Sequence, residues 1–182
     1  PETASQLDAG VEWHTQRFAV GVSPFLTYFS NYIFLNPSYK HDRLYGNGNQ
    51  VFNYTQSKVF RYGGEIHAHY QLLNSLKLGL IGEYIYSQQL SGEKAGFTLP
   101  FSPPPSLLLH LKYHRDQIWK LTEPYLSMDL RVVAAHDLIV PPEVPTPGYR
   151  VINLGAGGKI RIMDHLLSVN FQVQNLLNSK YF

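Results

Sequence analysis

Apolar and polar residues alternate one for one along most of this chain, and nothing else limits its folding as much. Leu7, Ala9, Val11 and Trp13 fall on one face, with Gln6, Asp8, Glu12 and His14 on the other. A period of two is the pleat of a β-strand with one face shielded from water and one face wet. The pattern recurs. Leu76, Leu78, Leu80, Tyr84 and Tyr86 oppose Lys77, Gly79, Glu83 and Ser87. Leu107, Leu109, Leu111 and Tyr113 oppose His110, Lys112 and His114, and Leu167, Val169 and Phe171 oppose Ser168, Asn170 and Gln172. Read this way the sequence holds about eight strands, the seventh around Ile152, Leu154 and Ala156.

The connections alternate in length. Short turns are expected at Gln16-Arg17, Asn74-Ser75, Arg115-Asp116 and Asp164-His165. Long loops are expected at 36–50, 88–105 and 135–148, where Asn, Gly, Pro and charged residues replace the alternation. Proline breaks the phase near Pro24, where a bulge or free edge is expected, and again at Pro124. Tight turns on one side, long loops on the other and strands of about ten residues are the plan of a transmembrane β-barrel. Tyr28, Phe29, Tyr32, Phe34, Tyr84, Tyr86 and Tyr113 lie near strand ends, as an interfacial aromatic girdle requires.

Composition agrees by what it excludes. There are no cysteines, so no disulfide framework, and a net charge of +2 is no basic field for nucleic acid. The mean hydropathy of −0.19 looks soluble, but it averages two opposite faces. No basic and apolar leader follows Pro1, so no signal peptide is read, and the chain is expected to be a piece of something larger. Two other readings fit the periodicity: a complete eight-stranded outer-membrane barrel serving as anchor or enzyme, and a soluble barrel binding small apolar ligands.

Six motifs then occur in order: Pro1-Glu2 with Ser5, Leu7 and Gly10; Asn31-Tyr32-Ile33; Gly63-Gly64-Glu65; Leu99-Pro100-Phe101 before three prolines; Pro147-Gly148-Tyr149 with Asn153-Leu154; and Val173 with Asn175-Leu176-Leu177-Asn178 and Tyr181. As a set they resemble the later barrel strands of TonB-dependent outer-membrane receptors. The resemblance implies an all-β, antiparallel transmembrane segment, about eight strands of a barrel of about twenty-two. Residues 1–182 would be its C-terminal part, with the plug domain and the final strand absent. It implies a bacterial outer-membrane receptor for TonB-dependent uptake of a scarce nutrient, such as a siderophore, haem, a metal, cobalamin or a glycan. Partners would be outer-membrane lipid, the missing plug, the TonB complex through the missing N-terminal region, and a small-molecule or metal-chelate ligand, with no nucleic acid. No enzyme activity and no cofactor are expected.

Candidate site residues follow from the pleat and the loops. Glu65, His67, His69, Glu83, His110 and His114 should face the lumen. Tyr39, His41, Asp42, Arg43 and Tyr45 form an adaptable polar-aromatic set in the first long loop, suited to ligand capture. His67 and His69 share a face, as do His110 and His114, but an intervening strand puts the pairs about 10 Å apart, too far for one tetrahedral metal site. Metal binding is left open, with ordinary polar wall residues as the plainer account. Gly155-Ala156-Gly157-Gly158 looks like a nucleotide loop but lies within a strand pattern, where small residues serve packing.

Overall fold

A computed structural model describes residues 1–42 and 49–181, with side chains described for 1–38 and 50–181. Its elements are β1 (Ala4–Asp8), β2 (Val11–His14), β3 (Phe18–Asp42), β4 (Asn49–Leu73), β5 (Leu76–Gln89), β6 (Ser106–His114), β7 (Gln117–Ile118), β8 (Leu121–Val133), β9 (Tyr149–Ile162) and β10 (His165–Val173). All belong to one antiparallel sheet ordered β1-β3-β4-β5-β6-β8-β9-β10, with β2 also on β3 and β7 on β8. Eight positions across the sheet match the expected strand number. Among the described residues β1 and β10 do not pair with each other. This open sheet departs from the self-closed eight-stranded alternative.

Register carries the alternation across the whole sheet. The row Val22, Ile66, Gly82, Leu107 and Val132 lies on one face, and the neighbouring row Ser23, Glu65, Glu83 and Ser106 on the other. The apolar face stays largely uncovered: Leu78, Leu109, Leu126, Met128, Val132, Val169 and Phe171 are all exposed. On that face Tyr62 and Tyr70 of β4 stand eight residues apart, about 27 Å along the strand. A tilt near 40° reduces this to about 20 Å, comparable to the apolar band of a membrane barrel between its aromatic girdles.

The prolines act differently from expectation at one site. β1 and β2 pair with β3 in a single register, Asp8 facing Phe25 and Val11 facing Val22. Their gap lies opposite Pro24, whose carbonyl accepts from the Ala9 amide at 3.1 Å but which has no N–H to return. On its other side Pro24 passes Gly64 in register. Pro24 therefore interrupts bonding and not phase. The bulge lies instead between Phe29 and Tyr32, and the extra residue brings their rings to 4.8 Å on one face. Pro124 does coincide with a shift, between Thr122 and Tyr125.

Two connections are corrected. The expected loop at 36–50 is mostly strand, because β3 reaches Asp42 and β4 begins at Asn49. Outside the lipid both faces are wet, so backbone pairing continues without alternation to announce it. The turn expected at Arg115-Asp116 is a longer hairpin whose tip is Trp119-Lys120, between the paired Ile118 and Leu121.

After β10 the asparagine motif forms a turn rather than a strand. Asn175 and Asn178 have φ of 51° and 49°, a region Asn tolerates better than most residues. Asn175 Oδ1 accepts from the Ser179 amide at 2.8 Å, and its own amide donates to Asn153 Oδ1 at 2.8 Å. Tyr149 and Tyr181 stack at 5.0 Å. Two motifs, with Asn153 and Asn175 22 residues apart in the sequence, thus hold one another. Asn175→Ala is expected to cost about 1–2 kcal/mol, because alanine removes the Oδ1 acceptor of the Ser179 amide and tolerates the left-handed backbone less well. Faster hydrogen exchange at the Ser179 amide would report it; unchanged exchange would refute it.

Candidate functional site: the polar wall and the loops above it

Parity places all six predicted wall residues on the polar face, but they do not converge. The His67 ring leans over Gly21 of β3, where any β-carbon would overlap it. His69 leans the other way, over Gly79 of β5, and the two ring centres are 6.5 Å apart. His110 lies beyond Gly79 and bonds Asp129 through Nδ1 at 2.6 Å. Glu65 and Glu83 are direct cross-strand neighbours, and Glu83 accepts from Ser106 Oγ at 2.5 Å. Among the described residues no three His, Asp or Glu side chains gather as a metal site.

His114 belongs to a separate feature at the short-turn end. It lines a pocket of about 490 Å³ with Lys77, Lys112, Glu123, Tyr125 and Lys159, and its buried Nδ1 has no partner among the described residues. Lys77 and Lys112 face each other directly across β5 and β6. Lys112 Nζ rests 4.9 Å from the centre of the Tyr125 ring, and Lys159 pairs with Glu123 at 2.6 Å. Gly155 and Gly157 leave room for Ser127 and Tyr125, so the glycine-rich run serves close packing on this wall. His110 with Asp129 is an oriented imidazole, but no hydroxyl bonds it among the described residues. The wall offers dispersed contacts rather than a reaction centre.

The loop candidates fare differently. Tyr39, His41 and Asp42 fall on the β3 backbone, where His41 pairs with Gln50 and Asp42 with Asn49. Their side chains, and Arg43 and Tyr45 entirely, lie outside the described residues.

The sequence reading missed the groups that hold the upper loops. Lys94 Nζ donates to Asn36 Oδ1 at 3.0 Å, to the Pro37 carbonyl at 2.9 Å and to the Pro141 carbonyl at 2.6 Å. It joins the loop after β5, the strand β3 and the loop after β8. Loss of water lowers the Lys94 pKa from its ordinary value, and Glu143 and Glu93 offset part of that. Glu143 accepts from the amides of Phe101 at 2.8 Å and Val140 at 2.8 Å, clasping the same two loops. Beneath them Val59, Leu99, Val140 and Gln89 are buried, and Gln89 Nε2 donates to the Thr98 carbonyl at 2.7 Å. Arg61 is held beside Phe29 and Tyr32, 5.4 Å from each ring centre, and donates through Nε to Ser87 Oγ at 3.0 Å. The signal for Arg61 was its place on the wall face of an aromatic-rich strand pair.

A wet wall, an apolar outer face, short turns at one end and packed loops at the other define one sector of a membrane β-barrel. The family described as "TonB dependent receptor-like, beta-barrel" matches residues 1–176, and the chain belongs to it. No curated protein matches the sequence. Among solved structures the copper transporter OprC is similar over 100% of this chain, with a TM-score of 0.82 and 21% identity. BauA, the ferric preacinetobactin receptor from Acinetobacter baumannii, is similar over 97%, with a TM-score of 0.72 and 18% identity. A G324V mutant of the ferric enterobactin receptor PfeA from Pseudomonas aeruginosa is similar over 97%, with a TM-score of 0.60 and 17% identity. The chain spans about a quarter of each of these proteins: 26%, 25% and 26%. These likenesses establish the fold, a partial barrel of antiparallel strands, and the family's receptors are proteins of the bacterial outer membrane.

Proposed function

We propose that this chain is part of the wall of an outer-membrane receptor that takes up a scarce nutrient by the TonB-dependent route. The observation that carries the reading is the register that keeps most apolar side chains on one face and the charged ones on the other across eight strands. The apolar face meets lipid, and the polar face, with His67, His69, Glu65, Glu83, His110 and His114, lines the lumen. A plug domain sits in that lumen with water around it, and the TonB complex acts through regions outside this chain. The clasped upper loops, with Arg61 and its aromatic neighbours below them, form part of the ligand's entry. The barrel does no bond chemistry. Copper and ferric siderophores, the cargoes named for its structural relatives, are the first ligands to try.

Neighbouring cysteines test the faces. In the full-length receptor in outer membranes, His110→Cys is expected to react with a charged, membrane-impermeant maleimide, whereas Leu109→Cys is not. Equal labelling would refute the assignment. Uptake of radioactive iron chelates and copper by cells with and without the receptor tests transport. Loss of one cargo, reproduced by removing TonB, is expected; unchanged uptake of every cargo offered argues against it.

A further inference from the structure

The hairpin between β6 and β8 extends past the last β6–β8 pair, His114 with Tyr125, and it sorts its charges. Asp116 and Glu123 line the polar-face pocket, where Glu123 is held by Lys159. The cations keep company with aromatic rings instead. Arg115, at the rim of that pocket, donates from Nε to the Tyr113 hydroxyl at 2.6 Å. Tyr113 belongs to the apolar face. Lys120 Nζ lies 5.1 Å from the centre of the Trp119 ring. Trp119 occupies the first position of the two-residue turn with φ of 53° and is 82% exposed. A bulky side chain at positive φ is an outlier, and no packing within the sheet explains a large ring at this tip.

Behind the hairpin the apolar face carries a groove of about 440 Å³. Tyr113, Leu121, Leu126, Ala156, Val169 and Phe171 line it. Ala156 supplies little bulk at its floor, and Leu121 settles over Gly158, where a β-carbon would come within 2.8 Å of it. The groove is apolar along its length, and at its turn end the Tyr113 hydroxyl carries the Arg115 guanidinium beside it. Indole and tyrosine rings beside cations suit the level of lipid headgroups, where an apolar body and a polar tip are both satisfied.

We infer that this groove and hairpin hold one anionic phospholipid from the leaflet on the short-turn side. An acyl chain lies in the groove, the phosphate meets Arg115 and Lys120, and Trp119 stands at the headgroup. Charge complementarity selects the occupant: Arg115 is bonded to the groove residue Tyr113 and Lys120 immediately precedes the groove residue Leu121, while the carboxylate of Glu123 is already paired with Lys159. The inference rests on the membrane reading above.

The test uses the full-length receptor in nanodiscs of phosphatidylethanolamine, alone or with phosphatidylglycerol, and native mass spectrometry of the lipids it retains. Retained phosphatidylglycerol is expected to exceed its bulk share by up to about thirty-fold, about five-fold for each of the two cations near the anionic headgroup. The double variant Arg115→Gln, Lys120→Gln should bring retention to the bulk share while heat-modifiable gel mobility, the mark of a folded barrel, is kept. Trp119→Ala should lower retention with both cations present. Enrichment that survives the double variant, or none in the parent, overturns the site. Free glycerol phosphate should not compete; displacement by it would overturn the role of the groove. A receptor that fails to enter nanodiscs would count against the membrane reading instead, so the two failures are distinguishable.

Discussion

Arginine in place of Ile66 is expected to destabilise the receptor by about 2–4 kcal/mol, the cost of that residue on the lipid face near the bilayer midplane. Ile66 lies on the apolar face of β4, midway between Tyr62 and Tyr70, and is partly exposed. Its Cγ2 methyl covers Gly82, where a β-carbon would stand 2.9 Å away, so the substitution also uncovers backbone. The neighbouring change Glu65→Arg should cost almost nothing. Glu65 lies on the polar face and opposes Glu83, and an arginine there relieves a like-charge pair worth about 0.2–1 kcal/mol. Urea unfolding of the full-length receptor in lipid vesicles measures both variants. Equal losses would refute the assignment of faces, because the two residues share a strand and differ only in parity.

Lys94→Met should release the upper loops while leaving the barrel strands intact. The lysine makes three hydrogen bonds from a charged, part-buried donor, each worth about 1.5–3 kcal/mol at most, but its own desolvation offsets part of the gain. A local loss of about 2–3 kcal/mol is expected. Amide exchange should rise at Ala95, Gly96 and Phe97 and stay unchanged in β6 and β8. Desolvation also sets the sign with pH. The folded amine has a lowered pKa, so burying the charged form costs stability below that value. The cost fades as pH rises from it toward the ordinary lysine value. Relief of desolvation tightens the clasp as pH rises toward the ordinary lysine value, but a neutral amine keeps two N–H donors for three acceptors and gives up one hydrogen bond, so exchange at these residues, corrected for its intrinsic pH dependence, should change through that range in the parent but not in the methionine variant. Rapid exchange throughout the sheet would mean that Lys94 supports global folding instead.

Local periodicity made the wall legible and long-range pairing kept the rest hidden. His67, His69, His110 and Lys112 fall on one face because parity is fixed by the pleat and needs no knowledge of neighbours. The tip at Trp119-Lys120 depends on Gln117 meeting Thr122 and Ile118 meeting Leu121, a choice of register that Arg115-Asp116 seemed to satisfy earlier in the sequence. The partners of Lys94 are 47 to 58 residues away, so a run between Gly92 and Gly96 reads only as a loop. The upper parts of β3 and β4 were hidden for a different reason. Alternation records a difference between two solvents, and above the membrane there is one solvent.

That hidden length has a thermodynamic consequence. β3 and β4 have 25 residues each, about 80 Å of extended chain, while a tilted crossing of the membrane uses about ten. The remainder stands outside as paired strand whose conformational entropy was surrendered when the sheet formed. A ligand meeting this surface does not have to order it again. Under the receptor reading, chemically similar cargoes should therefore arrive at similar rates and be sorted by how long each one stays.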